Sequence, residues 1–186
     1  MGVVPSCLDS QNEVIILTHG AYDKMTHRYL KHRSTTLWIA LLLFAFALRM
    51  YRLGQQPLSW DEGWSIGLSS LPWSEIHRIT ALDVHPPLYY HLFKLWLALG
   101  RNELLLRFLS VIAGMLSIPL AYATGRAWMR TADIKHRDEQ TGLLAALVVT
   151  FSPFLLYYSQ VARMFSLCVM LTLLAVYSLF KAVDRG

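Results

Sequence analysis

The sequence predicts an all-α, polytopic transmembrane protein, and three observations carry that prediction. Apolar runs long enough to cross a bilayer recur along the chain, and charged residues sit at their ends rather than inside them. The composition is 55% hydrophobic and only 16% charged over 186 residues, with a mean hydropathy of +0.39, unlike a soluble domain of this size. The basic balance, a net charge of +5 and a pI near 9.4, does not point to nucleic acid, because the Lys and Arg form no groove with interleaved aromatics. They flank apolar segments, which is the membrane pattern. Cys7 in the amino-terminal tail and Cys168 in an apolar run have no metal-ligand spacing and imply no disulfide framework. Cys168 is expected to be a small packing residue.

Residues 1–34 read as a cytoplasmic tail. The first 22 have no clear period, and Met25 before a basic flank reads as a natural start, so residues 1–24 are expected to lie outside the native chain. The match of Met1, Gly2 and Ser6 to a myristoylation pattern is short, and no small-residue site marks a cleavable signal peptide. Lys24, Arg28, Lys31 and Arg33 place this end inside.

Four spans follow, at about 35–53, 108–125, 142–158 and 164–180, each near the roughly 20 residues a bilayer requires. The apolar stretch 88–100 carries His91 and Lys94 and has the length of an interfacial helix, so it is read as lying on the membrane surface within an outer loop, 54–107. Four spans put ten of the seventeen Lys and Arg inside, Arg126, Arg130, Lys135 and Arg137 among them. A fifth span at 88–100 would move that basic loop outside. The loop 54–107 and the short 159–163 connection then share the non-cytoplasmic side. Residues 181–186 follow the last span directly, and the chain is expected to be the amino-terminal part of a longer protein, inactive by itself.

The polar residues of that outer side are the candidates for chemistry. Ser59 to Glu62 fits a capping box opening a short helix through residue 68, which makes Glu62 structural. Asp61 beside it is either favourable charge at the helix start or a general base for a hydroxyl at the membrane surface. In Asp83–Val84–His85–Pro86–Pro87 the prolines force an extended, rigid approach. One reading makes Asp83 a local cap and His85 exposed. The other makes them a polar pair facing Asp61 and Glu62, able to hold a divalent cation (Asp61, Asp83 and His85 as ligands) or to bond a phosphate through neutral His85. Arg163 either snorkels to headgroups beside the belt residues Tyr157 and Tyr158 or binds a phosphate with its planar fork. Trp38, Trp73, Trp96 and Trp128 read as belt or packing residues.

Taken in order, Arg52 with the run Pro57 to Glu62, then Asp83–Val84–His85–Pro86–Pro87–Leu88–Tyr89–Tyr90, Arg107–Phe108–Leu109–Ser110, and Tyr158 to Leu167 resemble the GT-C glycosyltransferases. The nearest branch is the protein O-mannosyltransferase superfamily, including bacterial relatives that modify lipid A or polysaccharide. The resemblance spans residues 35–180. It implies a GT-C-like fold and a membrane glycosyltransferase of the cell envelope moving a sugar from a polyprenyl-phosphate donor to a hydroxyl on protein, lipid or polysaccharide. It also implies an integral protein of a bacterial inner membrane with its site on the outer face. By the resemblance, Asp61 is the catalytic base with Glu62 beside it, and Asp83, His85 and Arg163 bind substrate or phosphate. No cofactor is certain beyond the candidate cation. Relatives carry Glu where this chain has Val161, which puts any role of that acid in doubt here. A non-catalytic membrane protein, or a carrier or flippase for lipid-linked sugars, is the competing class. It would need the phosphate contact but no base at Asp61.

Overall fold

The structure, a computed structural model, describes residues 35–83 and 85–185. The tail at 1–34, with Met25, Cys7 and the first basic cluster, lies outside the described residues, as does Val84. The chain divides into two compact units, residues 1–43 and 44–186. Of the first unit the described part is the leading stretch of helix α1 (Thr35–Met50). The last turns of α1 and everything that follows belong to the second.

All regular structure among the described residues is helical: α2 (Trp60–Ser70), α3 (Trp73–Thr80), α4 (Pro87–Leu97), α5 (Glu103–Thr131), α6 (Asp138–Phe151), α7 (Pro153–Ser159) and α8 (Phe165–Arg185), with a 3₁₀ turn at Lys135–Arg137. The helix α5 is the central post, with α6 and α8 packed along it. It starts five residues before the expected 108, because Asn102 caps it by accepting the Leu105 N–H at 2.7 Å. Its 29 residues rise about 43 Å at 1.5 Å each, more than the roughly 30 Å hydrocarbon core. Arg107 therefore lies inside the helix, one turn from its start, rather than flanking it.

Two helices, Glu103–Thr131 and Phe165–Asp184, are long and apolar enough to cross a membrane, and the pair α6–α7 makes a third span if taken together. The stretch Thr35–Met50 is apolar but shorter. This is an integral membrane protein. Taken as one span, the α6–α7 pair differs from the expected continuous 142–158: it bends by 58° between α6 and α7. The cause is Pro153, which has no N–H for the Val149 carbonyl and opens α7 as its first residue, while the Ser152 hydroxyl accepts the Leu155 N–H at 3.4 Å. Close packing of α6 on α5 depends on facing glycines. A Cβ at Gly142 would fall 2.8 Å from the Tyr122 carbonyl oxygen, and one at Gly125 would fall 3.0 Å from that of Thr141.

Within its apolar window only 6% of α8 is buried, against 50% for α5, so most of the α8 surface faces outward. Cys168 lies on that outward surface. The expectation of a packing role is corrected: an apolar helix in a bilayer has no need to turn its small residues inward.

The loop between α1 and α5 is a folded cap rather than an extended connection. Tyr89, Tyr90, Phe93 and Leu97 of α4 are buried against Leu68 of α2, Ile76 of α3, Leu106 of α5, and Ala162 and Met164 of the turn after α7. The opposite edge of α4 exposes Leu88, Leu92 and Leu95, the i, i+4, i+7 stripe of an amphipathic helix. Lys94 ties α4 to α2 by donating to the Leu71 carbonyl at the end of α2.

Candidate active site

The site is organised around a buried ion pair. Glu62, 2% exposed, and Arg107, also 2% exposed, meet in a bidentate arrangement, with Arg107 Nε 2.8 Å from Oε1 and Nη2 2.9 Å from Oε2. The remaining Arg107 donors reach the carbonyls of Leu53 (2.7 Å), Gln56 (3.0 Å) and Pro57 (3.2 Å). All five N–H groups of the guanidinium are thereby used. Glu62 is equally saturated. Besides Arg107 it accepts the backbone N–H of Ala162 at 2.9 Å and, from Ser59, the backbone N–H at 2.9 Å and the hydroxyl at 3.2 Å. Burial alone would raise the Glu62 carboxyl, but the Arg107 guanidinium and the Ala162 and Ser59 N–H groups outweigh it and hold it below its ordinary value.

This hub joins the 53–57 connection, the first turn of α2, α5 and the turn after α7. The capping box read from Ser59–Glu62 is present, with the Glu62 N–H bonded to the Ser59 hydroxyl at 3.3 Å. Glu62 does more than cap, since its carboxylate reaches across to Ala162. Every lone-pair direction is directed at the protein, so its geometry suits positioning and leaves nothing for a substrate.

Asp61 is placed differently. It is exposed on α2, and its backbone carbonyl accepts Arg163 Nη1 at 3.2 Å and the Ser65 hydroxyl at 3.0 Å. Arg163 is 8% exposed and lies over the Phe165 ring at 5.8 Å, so it does not snorkel outward. Its Nε is buried without a hydrogen-bond partner among the described residues, and the buried Tyr89 hydroxyl interacts with Ser110. Burial pushes the Tyr89 phenol up, so it stays protonated. The Arg163 side chain thus meets α2 at the backbone of the exposed Asp61. At residue 161 the side chain is valine, and the Val161 carbonyl accepts the Arg163 N–H at 2.8 Å.

Asp83 and His85 form a pair, Asp83 Oδ2 lying 2.8 Å from His85 Nδ1, and both are partly buried. Tyr90, 1% exposed, links this pair to the rest. Burial raises its phenol, Arg163 lowers it, and Asp83 and Asp61 raise it, so all three charges act at one hydroxyl. With Nδ1–H directed to a carboxylate, neutral His85 presents an acceptor at Nε2. In that tautomer, donation to a phosphate oxygen from Nε2 requires the imidazolium.

Among the described residues no three His, Cys, Asp or Glu side chains converge on a point that could hold a metal, so Asp61, Asp83 and His85 do not assemble as ligands. Asp83 is turned to His85 and Glu62 is held by Arg107. Beside Asp61, the other face of α2 borders an apolar groove of about 790 Å³, lined by Trp60, Gly63, Trp64, Gly67, Leu71 and Ile79 among others. Trp60 is 88% exposed at its edge.

Sequence reasoning missed Arg107 and Tyr90 as parts of the site. Arg107 was read as a flank, although Asn102–Glu103 is a cap-like pair that starts the helix earlier and draws the arginine inside. Tyr90 follows the diproline run at a spacing that puts it on the buried face of α4.

A family model described as dolichyl-phosphate-mannose-protein mannosyltransferase matches residues 84–186, more than half of the chain. The match takes in His85, Tyr90, Arg107 and Arg163, while Asp61, Glu62 and Asp83 precede it. No curated protein and no solved structure shows a significant match. The matching segment takes in α4 to α8 of this all-helical membrane protein, and the chain belongs to the dolichyl-phosphate-mannose-protein mannosyltransferase family.

Proposed function

We propose that this protein transfers a sugar from a polyprenyl-phosphate carrier to a hydroxyl acceptor on the non-cytoplasmic face of a bacterial inner membrane. Asp61 takes the acceptor proton and Arg163 holds the carrier phosphate. The observation that carries this reading is the 3.2 Å contact from Arg163 Nη1 to the Asp61 backbone carbonyl, which brings the guanidinium against α2 at the residue read as the base.

In the reaction the acceptor oxygen attacks the anomeric carbon in line with the departing phosphate. Its proton passes to the Asp61 carboxylate as the carbon–oxygen bond forms. The bond from the anomeric carbon to the phosphate oxygen breaks, and the released polyprenyl phosphate gains negative charge. Arg163, with a buried Nε that has no partner among the described residues, is suited to receive that charge. His85 contributes there only as imidazolium, oriented by Asp83. Glu62 and Arg107 hold both parts in place.

The apolar groove beside Asp61 supports a lipid-linked donor, because a prenyl chain needs such a wall and a nucleotide does not. The distribution of Lys and Arg supports a cytoplasmic amino terminus, four spans and a cap containing α2 to α4 on the opposite side. Whether the acceptor is protein, lipid or polysaccharide is an outcome of the assay.

The test is turnover of polyprenyl-phosphate-mannose by the full-length gene product in proteoliposomes. Asp61→Asn should lower kcat about 10²–10⁴-fold, the range for loss of a general base. Arg163→Ala should lower it about 10²–10³-fold, comparable to removing one oxyanion donor. A fully active Asp61→Asn together with loss of polyprenyl-phosphate binding in Arg163→Ala would favour a carrier over an enzyme.

A further inference from the structure

Two side chains outside the pocket connect the end of α1 to the break in the third span. Arg49 is fully buried, and among the described residues no carboxylate is hydrogen-bonded to it. It donates instead to two carbonyls, from Nη1 to Ala45 at 3.2 Å and from Nη2 to Val149 at 3.1 Å. The Ala45 bond shows that the side chain runs back along its own helix rather than outward to headgroups, the reverse of snorkelling. Val149 lies four residues before Pro153, so its carbonyl is the one that proline leaves without a helical donor. Arg49 replaces the missing N–H.

The second side chain returns the contact. Gln160, which ends α7, donates from Nε2 to the carbonyls of Leu48 (3.1 Å), Arg49 (3.2 Å) and Tyr51 (3.1 Å). These carbonyls belong to the end of α1, where the chain leaves the helix through Arg52 at φ +57°. The end of α1 thus bonds a carbonyl of α6, and the cap of α7 bonds carbonyls at the end of α1. Gly114 of α5 makes room for this arrangement, since a Cβ there would lie 2.9 Å from Ser159 Cβ and 3.2 Å from Arg49 Nε. Three residues beyond Gln160 stands Arg163.

We infer that Arg49 and Gln160 are positioning residues for the sugar-transfer site. Their reciprocal latch holds the Pro153 break open and sets where the 160–163 turn delivers Arg163 against Asp61. A buried arginine in a membrane helix is costly, and a straight third span would need neither it nor the bend. The inference rests on the proposed function for its kinetic consequence, while the latch itself is independent of it.

The test measures kcat and KM per folded molecule for Arg49→Met, Arg49→Lys, Gln160→Ala, Pro153→Ala and Arg49→Met/Pro153→Ala in the full-length gene product, with polyprenyl-phosphate-mannose as donor. Displacing Arg163 by about 1 Å should lower kcat on the order of 10²-fold in Arg49→Met, with KM for the donor changed far less. Arg49→Lys, able to reach one carbonyl, should retain an intermediate rate. Pro153→Ala restores a backbone N–H for the Val149 carbonyl, so in that background Arg49→Met should cost nothing further. Full kcat in Arg49→Met and Gln160→Ala while Asp61→Asn is inactive overturns the inference and leaves the functional reading intact. If Asp61→Asn is itself fully active, the functional reading fails and the latch is judged by unfolding. Additive destabilisation by Arg49→Met and Pro153→Ala then overturns it, and non-additivity sustains it.

Discussion

Replacing Glu62 by glutamine changes one atom and no shape, yet it should cost more stability than any other isosteric exchange in the cap formed by α2 to α4. Glu62 accepts five hydrogen bonds in the structure, two from a guanidinium that is itself 2% exposed. A glutamine keeps one acceptor oxygen and turns an NH₂ toward donors, either Arg107 Nη2 and Ser59 or Arg107 Nε and Ala162. Arg107 is then a buried cation with only backbone carbonyls around it. Breaking such a pair from one side costs about 3–5 kcal/mol, because the remaining charge stays desolvated. The same exchange at Glu75, in the exposed pair with Arg78 at 2.8 Å, should have no measurable effect. The assay is equilibrium unfolding of the full-length gene product in mixed micelles, followed by circular dichroism, for Glu62→Gln, Arg107→Met and the double variant. The double variant should be less damaged than the sum of the singles, and hydrogen exchange at the Ala162 amide should accelerate in Glu62→Gln. Stability within about 1 kcal/mol of wild type and additive single effects would refute the hub.

The same carboxyl predicts an acid dependence. Its folded value lies below the ordinary 4.5, so the stability it supplies is complete above that value and is lost as pH falls through the folded one. Wild type should weaken on acidification below about pH 4.5 with a steeper slope than Glu62→Gln, and equal slopes in a pH series of unfolding midpoints would count against it. The apolar groove gives a further expectation. No atom lies within 4 Å of a Cβ at Gly63, so Gly63→Leu should fold at least as well as wild type, since leucine favours the helix. It would nevertheless fill the wall beside Asp61 and raise KM for the lipid-linked donor. An unchanged KM would place the prenyl chain elsewhere.

How much was legible in the sequence depends on whether the cause was local. The Ser59–Glu62 cap, the start of α4 at Pro87 and the apolar helices follow from neighbouring residues, and they read directly. Pro153 was equally visible, but the 58° bend depends on donors far along the chain that make a broken span tolerable. The partners of Arg107 and Arg49 lie 45 to 54 and up to 100 residues away, so both looked like span flanks. His85 was named from its motif, but which nitrogen remains open was decided by Asp83.

By itself the sequence determined that this chain is helical, lies in a membrane and carries an acidic pair, a histidine–diproline corner and an arginine in a family-like order. Hydropathy and proline chemistry act residue by residue and need no partner. Only the tertiary structure decided which carboxylate is held by the protein and which is left exposed. Adjacent residues on a helix point about 100° apart, so Glu62 turns into the Arg107 and Ala162 donors while Asp61 faces out beside Arg163.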